Sequence, residues 1–451
     1  MRFVRSLSLL LAGGVACGCA PAWADTEAAP SAATEAQPWV PMLLGAQYTG
    51  IHQHLSPFGA AYSGPLSFTD RGDTETSHTF GAYFGLQFPA RLQAYLDIEM
   101  FKGDGVGGGT GLGGLPDGDV VRAGTGLPKT PYVARAYLQY TLPFGDDSTS
   151  VSRAQDQLPG EVPVSGLSFK AGKLSVADDF DQNRYADSVR MQFENLAFVN
   201  DLAWDYAADT RGYTDGAMVA WTGPMWTLRF GRYRMPVLAN HQQLEWPLTR
   251  AYGDNLELDW ASSAGTVLRF LVYRNVARMG VYDEAIAIGA AQGKAPDIVA
   301  DDRDGRVKTG YGFNLEQPLA DGGDTGLFLR AGWDDGRTES FAYAEVDRSL
   351  SLGAQLSGVH WGRSDDRVGL GLDYDALSSE HAAYLAAGGC GFILCDGKLN
   401  YGYEKILEGY YRAQLGDHAQ LGPDIQYIFN PGYNRDRGPA RIVGLRLRLY
   451  Y

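Results

Sequence analysis

Val443-Gly444-Leu445-Arg446-Leu447-Arg448-Leu449-Tyr450-Tyr451 decides how this chain is read. Val443, Leu445, Leu447, Leu449 and Tyr451 recur at every second position, with Gly444, Arg446, Arg448 and Tyr450 between them. Successive side chains of a strand point to opposite faces, so this segment has one oily face and one face bearing two guanidinium groups. An earlier hairpin repeats the rhythm. Phe80, Ala82, Phe84, Leu86 and Phe88 alternate, a tight Pro89-Ala90 turn follows, and Leu92, Ala94, Leu96, Ile98 and Met100 alternate again. Arg91, Gln93, Tyr95, Asp97 and Glu99 fill the second set of gaps. A period of two on segments of roughly ten residues suits tilted membrane strands, with lipid outside and water inside.

Composition supports that reading. The 451 residues are 45% hydrophobic and 20% charged, with 58 Gly and 26 Tyr. No apolar run reaches the ~18 residues that a membrane helix needs. A membrane protein without such helices must close into a barrel, because lipid cannot satisfy an open sheet edge. Residues 1–24 read as a signal peptide: Arg2 and Arg5, an apolar core from Leu7 to Val15, and an Ala22-Trp23-Ala24 cleavage site. Cys17 and Cys19 raise a lipoprotein alternative, but the residues before them lack the usual Leu. Residues 25–40, rich in Ala, Pro, Glu and Thr, read as a flexible leader, and 41–451 as the barrel. The net charge of −15 argues against a nucleic-acid partner. Acidic loop tips either bind divalent cations that bridge lipopolysaccharide or simply keep the loops soluble. Cys390 and Cys395 form a short pair that an oxidising periplasm would join into a loop-stiffening disulfide. No second Cys pair or nearby His pair accompanies them, so no metal and no cofactor are expected.

The alternation predicts an all-β, antiparallel transmembrane barrel of about sixteen strands. The strands run from 42–52, the 79–101 hairpin and 132–142 through 403–415, 419–430 and 440–451. Short connections (Pro89-Ala90, Gly223-Pro224, 261–264, 416–418) alternate with long ones at 53–77, 102–130, 176–213, 235–251, 276–307 and 377–402. Short periplasmic turns and long extracellular loops are the expected asymmetry, which places both ends of the wall in the periplasm. The connection 143–166 is too long for that rule, and its sequence assigns it no role. The Gly-rich stretch 103–109 follows no βα pattern and is not read as a phosphate loop. Tyr282 to Ala291 fits a short helix inside its loop.

On this register the lumen carries bases (Arg91, Arg135, Lys170, Arg229, Arg269, Arg330, Arg412, Arg446, Arg448), acids (Asp97, Glu99, Glu257, Asp334, Asp373, Asp375, Glu408, Asp424) and Tyr95, Tyr137, Tyr233, Tyr273 and Tyr410. Guanidinium forks donate and carboxylates accept hydrogen bonds, and aromatic rings offer flat apolar platforms. Such a mixture suits a neutral, hydroxyl-rich solute with apolar faces, that is, a small sugar held weakly at many points. Arg–carboxylate pairs that merely brace the wall produce the same pattern. Loop 176–213 carries Asp178, Asp179, Asp181 and Arg184 and is the candidate constriction; its Asp spacing does not match a calcium loop. The mature chain scatters its histidines, with His52 and His54 the only close pair, and contains no G-x-S-x-G elbow, so catalysis is not expected.

Three stretches resemble the carbohydrate-selective porin family of the OprB type. They are Phe169-Lys170-Ala171-Gly172-Lys173-Leu174 with Asp178 to Tyr185, then Asp396 to Glu404 running into Leu407-Glu408-Gly409-Tyr410-Tyr411-Arg412, and Gln420 to Tyr427 with Asn430-Pro431-Gly432 and the last strand. The resemblance implies passive diffusion of small carbohydrates through a Gram-negative outer membrane. It also implies an eyelet built by inward loops, with Glu408, Arg412 and Asp424 on the wall and Asp178, Asp179, Asp181 and Arg184 on the loop. Tyr451 stands where Phe is commoner; as an aromatic it should keep recognition of the C-terminal strand by the barrel assembly machinery. A general or anion-preferring porin and a barrel enzyme are the alternatives, and the outer wall also permits a homo-oligomer.

Overall fold

The computed structural model describes residues 41–120 and 126–451. The signal peptide and the leader expected at 1–24 and 25–40 lie outside the described residues. Among the described residues no helix is long and apolar enough to cross a membrane. The chain crosses with strands.

The first strands are β1 (Pro41–Leu55), β2 (Asp73–Gln87), β3 (Leu92–Gly103) and β4 (Tyr132–Pro143), followed by a small pair, β5 (Ser148–Val151) and β6 (Gly160–Pro163). Next come β7 (Gly166–Leu174), β8 (Thr214–Gly223), β9 (Trp226–Arg234), β10 (Tyr252–Ala261), β11 (Val267–Met279) and β12 (Arg303–Ala320). The last are β13 (Thr325–Asp334), β14 (Arg348–Ser357), β15 (Arg367–Ala376), β16 (Glu404–Gln414), β17 (Ala419–Phe429) and β18 (Ala440–Tyr450). All except β5 and β6 pair with their neighbours in chain order, and β1 pairs with β18 to close an antiparallel barrel of sixteen strands. At the seam Gln47 faces Tyr450 and Leu55 faces Ile442.

Alternation sorts the side chains. On β18, Leu445 is 48% and Leu447 37% exposed, whereas Arg446 between them is 4% exposed and points inward. Trp221, Trp260 and Tyr451 stand exposed near the short-turn end, and Tyr311 and Tyr374 near the long-loop end, where aromatic girdles anchor a barrel in its interfaces. His52, His54 and His78 also lie on the outer face. Their Nδ1 atoms meet the hydroxyls of Thr76, Thr74 and Tyr48.

The helix expected at Tyr282 is present as α1 (Tyr282–Gln292), and Cys390 and Cys395 are joined in a disulfide. Other details depart from the sequence reading. Arg91 is not a lumen residue: it sits exposed in the turn Pro89–Arg91, with a left-handed φ of 60°. The turn needs that extra residue because the Phe88 N–H reaches the Leu92 carbonyl across it. Strands β11 and β12 extend beyond the wall, so the loop expected at 276–307 is shorter. A second helix, α2 (Ser379–Ala386), lies in the loop that carries the disulfide. On β4 the ladder shifts between Asp97↔Arg135 and Ile98↔Val133, leaving Ala134 as an inserted residue, a bulge that re-aims the strand.

Leu447→Arg places a cation on the lipid face. It should cost ~2–4 kcal/mol near the bilayer midplane, read as a lower urea midpoint for refolding into vesicles. An unchanged midpoint would mean that this face does not meet lipid.

Candidate functional site

Two long connections fold into the barrel. Residues 104–120 and 175–213 run inside the wall and hydrogen-bond to each other: Leu196 N–H donates to Leu115 O (2.9 Å) and Gly118 N–H to Glu194 O (2.9 Å). Wall side chains reach in to hold them. Gln53 and Gln426 both donate to Pro116 O (2.8 Å each).

Segment 175–213 is pinned at successive stations. Asp178 accepts from Arg135 at 2.7 and 2.6 Å, and Asp179 pairs with Lys170 at 2.9 Å. Asp181 meets Arg330 at 3.0 Å and Asn314 at 2.6 Å. Arg184 reaches down to Asp324 in a short turn (3.0 Å), and its own N–H donates to Glu316 (3.0 Å). Arg330, fully buried, also donates to the carbonyls of Ala186 (2.6 Å) and Phe198 (2.9 Å). Farther on, Arg190 pairs with Glu99 (3.1 Å) and Asp119 (3.0 Å), and Arg446 donates to the carbonyls of Val189 (2.5 Å) and Gln192 (2.7 Å). The segment therefore touches β4, β7, β12, β13, β3 and β18 in turn, circling the inside of the wall. Phe193 and Phe198, packed on Phe328 and Tyr410, fill part of the cross-section with apolar rings.

The residues expected at the lumen fall into three groups. Arg135 gathers Asp97 (3.2 Å), Asp178 and, more distantly, Asp156 (3.5 Å); Tyr95 stacks on Tyr137, and Lys170 lies over the Tyr137 ring. Arg229 pairs with Asp259 (2.5 Å) and Glu257 (3.3 Å), and Arg269 with Glu316 (3.4 Å) and Asp259 (3.8 Å). Glu408 accepts the N–H groups of Glu194 and Asn195, beside Asp424 and Tyr410. Asp97, Glu99, Glu408, Asp424, Tyr95, Tyr137 and Tyr410 all point inward, but the folded-in segments cover them. Glu99, through Arg190, and Glu408 hold the inner segment directly, whereas Tyr95 meets Leu158 of the β5–β6 connection. Arg412, on β16, lies inward and half-buried.

By ring order, β16–β18 lie across the lumen from β8–β10. The first side carries Arg412, Arg446 and Arg448. Arg446 donates to loop carbonyls, and Arg448 to the Gln420 amide oxygen (3.3 Å). The other side carries the carboxylates of β10 with Arg229. The first side also carries Glu404, Glu408 and Asp424, all buried, so both flanks are mixed in charge. Arg190, Asp119 and Asp156 belong to this network and have no strand period to reveal them.

Charge states follow from these contacts. Burial alone would raise the Asp178 carboxyl, but the Arg135 ion pair holds it below the usual range. Burial and the Asp181 charge push Asp201 up to about 7, and burial with Asp119 does the same to Asp117. Asp201 Oδ2 is buried without a hydrogen-bond partner, as suits a neutral carboxyl. Among the described residues no group of three His, Cys, Asp or Glu could hold a metal ion. A Ser378–His381–Asp347 grouping exists, but Ser378 Oγ caps α2, accepting from the His381 backbone N–H (3.0 Å), and all three residues are buried.

The family described as "Carbohydrate-selective porin, OprB family" matches residues 132–451. A structure of OprB from Pseudomonas putida at high pH superposes with a TM-score of 0.68 at 16% identity, covering 90% of this chain and 94% of that one. The outer membrane channel DcaP of Acinetobacter baumannii gives 0.51 at 10% identity, covering 91% and 96%. Among curated proteins none matches by sequence.

Asp201 gives a pH prediction. Its folded value lies above its unfolded one, so protonation favours the fold fully below about pH 4. That contribution fades as pH rises through about 7. Asp201→Asn stays neutral. Its urea-midpoint advantage over the parent should therefore be near zero at about pH 4 and grow to a plateau by about pH 8, worth at most ~4 kcal/mol. An advantage that shrinks with rising pH would mean that Asp201 is ionised in the fold.

Proposed function

Since the chain belongs to the OprB family of carbohydrate-selective porins, we propose that it passes small neutral sugars by passive diffusion across a Gram-negative outer membrane. One observation carries this reading. The lumen is ringed by a folded-in segment whose guanidinium, carboxylate and amide groups are fixed by one another. Arg184 and Asp324 both keep part of their surface accessible while their geometry is held, and Arg190 does so while anchored on a buried Glu99.

Fixed donors and acceptors exchange hydrogen bonds with sugar hydroxyls without large rearrangement. Because Arg135, Arg184, Arg190, Arg229 and Arg269 already have carboxylate acceptors, no single contact at them traps the solute. Arg135, Arg229, Arg269 and Arg412 are the solute-contacting candidates in this reading, through whatever part of each guanidinium stays accessible. Asp178, Asp179, Asp181 and Arg184 hold the constriction. Export by an N-terminal signal, recognition of β18 by the assembly machinery, and contact with lipopolysaccharide complete the proposal.

A general or anion-preferring porin is the second reading. It is favoured by Arg446 and Arg448, which meet carbonyl and amide oxygens rather than carboxylates. Liposome swelling with a panel of neutral sugars against charged solutes of similar size separates the two. Faster swelling with sugars supports the first; equal rates, or faster entry of anions, support the second.

Arg412→Ala should weaken sugar block of single-channel current about three- to ten-fold, on the order of one net hydrogen bond, and lower anion preference without loss of folding. Parent-like block and selectivity would make Arg412 a brace.

A further inference from the structure

The long connection between β4 and β7 does not hang free in the periplasm. It rises as the hairpin β5–β6, and its tip, residues 152–159, turns in under the wall. Ala154 and Gln157 bridge to each other, and Asp156 between them adopts a left-handed φ of 55°. Three contacts fix the tip. Asp156 reaches Arg135 (3.5 Å), the arginine that also holds Asp178 of the folded-in segment. Leu158, 5% exposed, packs with Leu43, Tyr95 and Tyr137, all lumen-facing, and its N–H donates to Tyr95 OH (3.3 Å). Arg153 donates to the carbonyls of Leu44 (2.5 Å) and Tyr451 (3.2 Å) at the barrel seam.

We propose that this hairpin is the periplasmic half of the constriction, with Leu158 narrowing the passage and Asp156 setting its charge. A leucine at the tip of a periplasmic turn has no reason to be buried unless it enters the barrel, where Tyr95 and Tyr137 receive it. An acid at that tip adds a third carboxylate around the one guanidinium of Arg135 and biases that station of the ring against anions. Solute leaving the segment-lined ring passes the hairpin tip, which Leu158 anchors and where Asp156 keeps part of its side chain accessible, before the periplasm. Asp156 is thus a selectivity-determining group supplied from below, opposite in origin to Asp178, which arrives from above.

The proposal rests on the channel reading, and planar-bilayer recording tests both. Val164 N–H bonds to Asp147 O, so residues 148–163 can be replaced by Asn-Gly, a two-residue turn. The shortened protein should conduct about two-fold more than the parent and admit longer oligosaccharides in liposome swelling. Asp156→Asn should leave conductance near the parent's and shift ion selectivity towards anions. Gln155→Cys, at the exposed tip, should conduct normally until a bulky thiol reagent is added from the periplasmic side, and then lose current. Parent-like conductance and size limit in the shortened barrel, with no current loss on labelling Gln155→Cys, would overturn the proposal even though the channel reading stood. If the shortened barrel fails to fold, labelling and Asp156→Asn decide alone. A parent protein that forms no channels would sink both readings.

Discussion

Every backbone N–H and C=O in the wall must find a partner within the wall, because hydrocarbon offers none. The pairing of β1 with β18 meets that demand by removing the sheet's two edges at once. Closure then fixes the rest. Each strand has one face to lipid and one to the lumen, and every polar side chain at the same register ends up inside. The oily face needs no further specificity. The inner face must solve a harder problem, because it crowds arginines and carboxylates into a confined space.

Its solution is to fill much of that space with protein. Segments 104–120 and 175–213 enter from the long-loop end, and the hairpin tip enters from the other. A buried charge is costly unless it is paired and hydrogen-bonded, and here the partners come from both wall and loop. Arg330 satisfies one carboxylate and three loop carbonyls. Glu408 accepts two loop N–H groups, and Arg135 gathers acids from the wall, the inner segment and the hairpin. Where pairing is incomplete, as at Asp201, neutralisation replaces it. The wall and the inner segments are thus braced by one shared set of buried ion pairs and hydrogen bonds.

The wall was legible because its period of two survives along the strands. Leu445 and Arg446 declare opposite faces without knowledge of any neighbour. Arg91 misled for a local reason: a three-residue turn carries it out of register with the strand that follows. The acids Asp97, Glu99 and Glu408 are buried on the side of the strand that alternation gave them, but alternation says nothing about what lies over them. Arg190, Asp119 and Asp156 left no signal. Loop residues have no period, and the partners of Arg190 lie 91 and 71 positions away along the chain. The Gly-rich stretch from 103 read as an outer loop; the lack of a side chain suits close packing, as at Gly107 and, a little farther on, Gly111 against Phe68, which only the fold reveals.

Alternation along the chain was enough to establish a closed barrel, its strand number, the pattern of short and long connections and the inward aim of most of the charged residues. These features are local, and lipid leaves the backbone no other way to be satisfied. Which connections turn into the lumen, and which inward residues meet water and which meet a loop, emerged only in three dimensions. Those outcomes depend on contacts between residues far apart in the chain, where no local pattern constrains the pairing and burial is balanced against charge across the whole lumen.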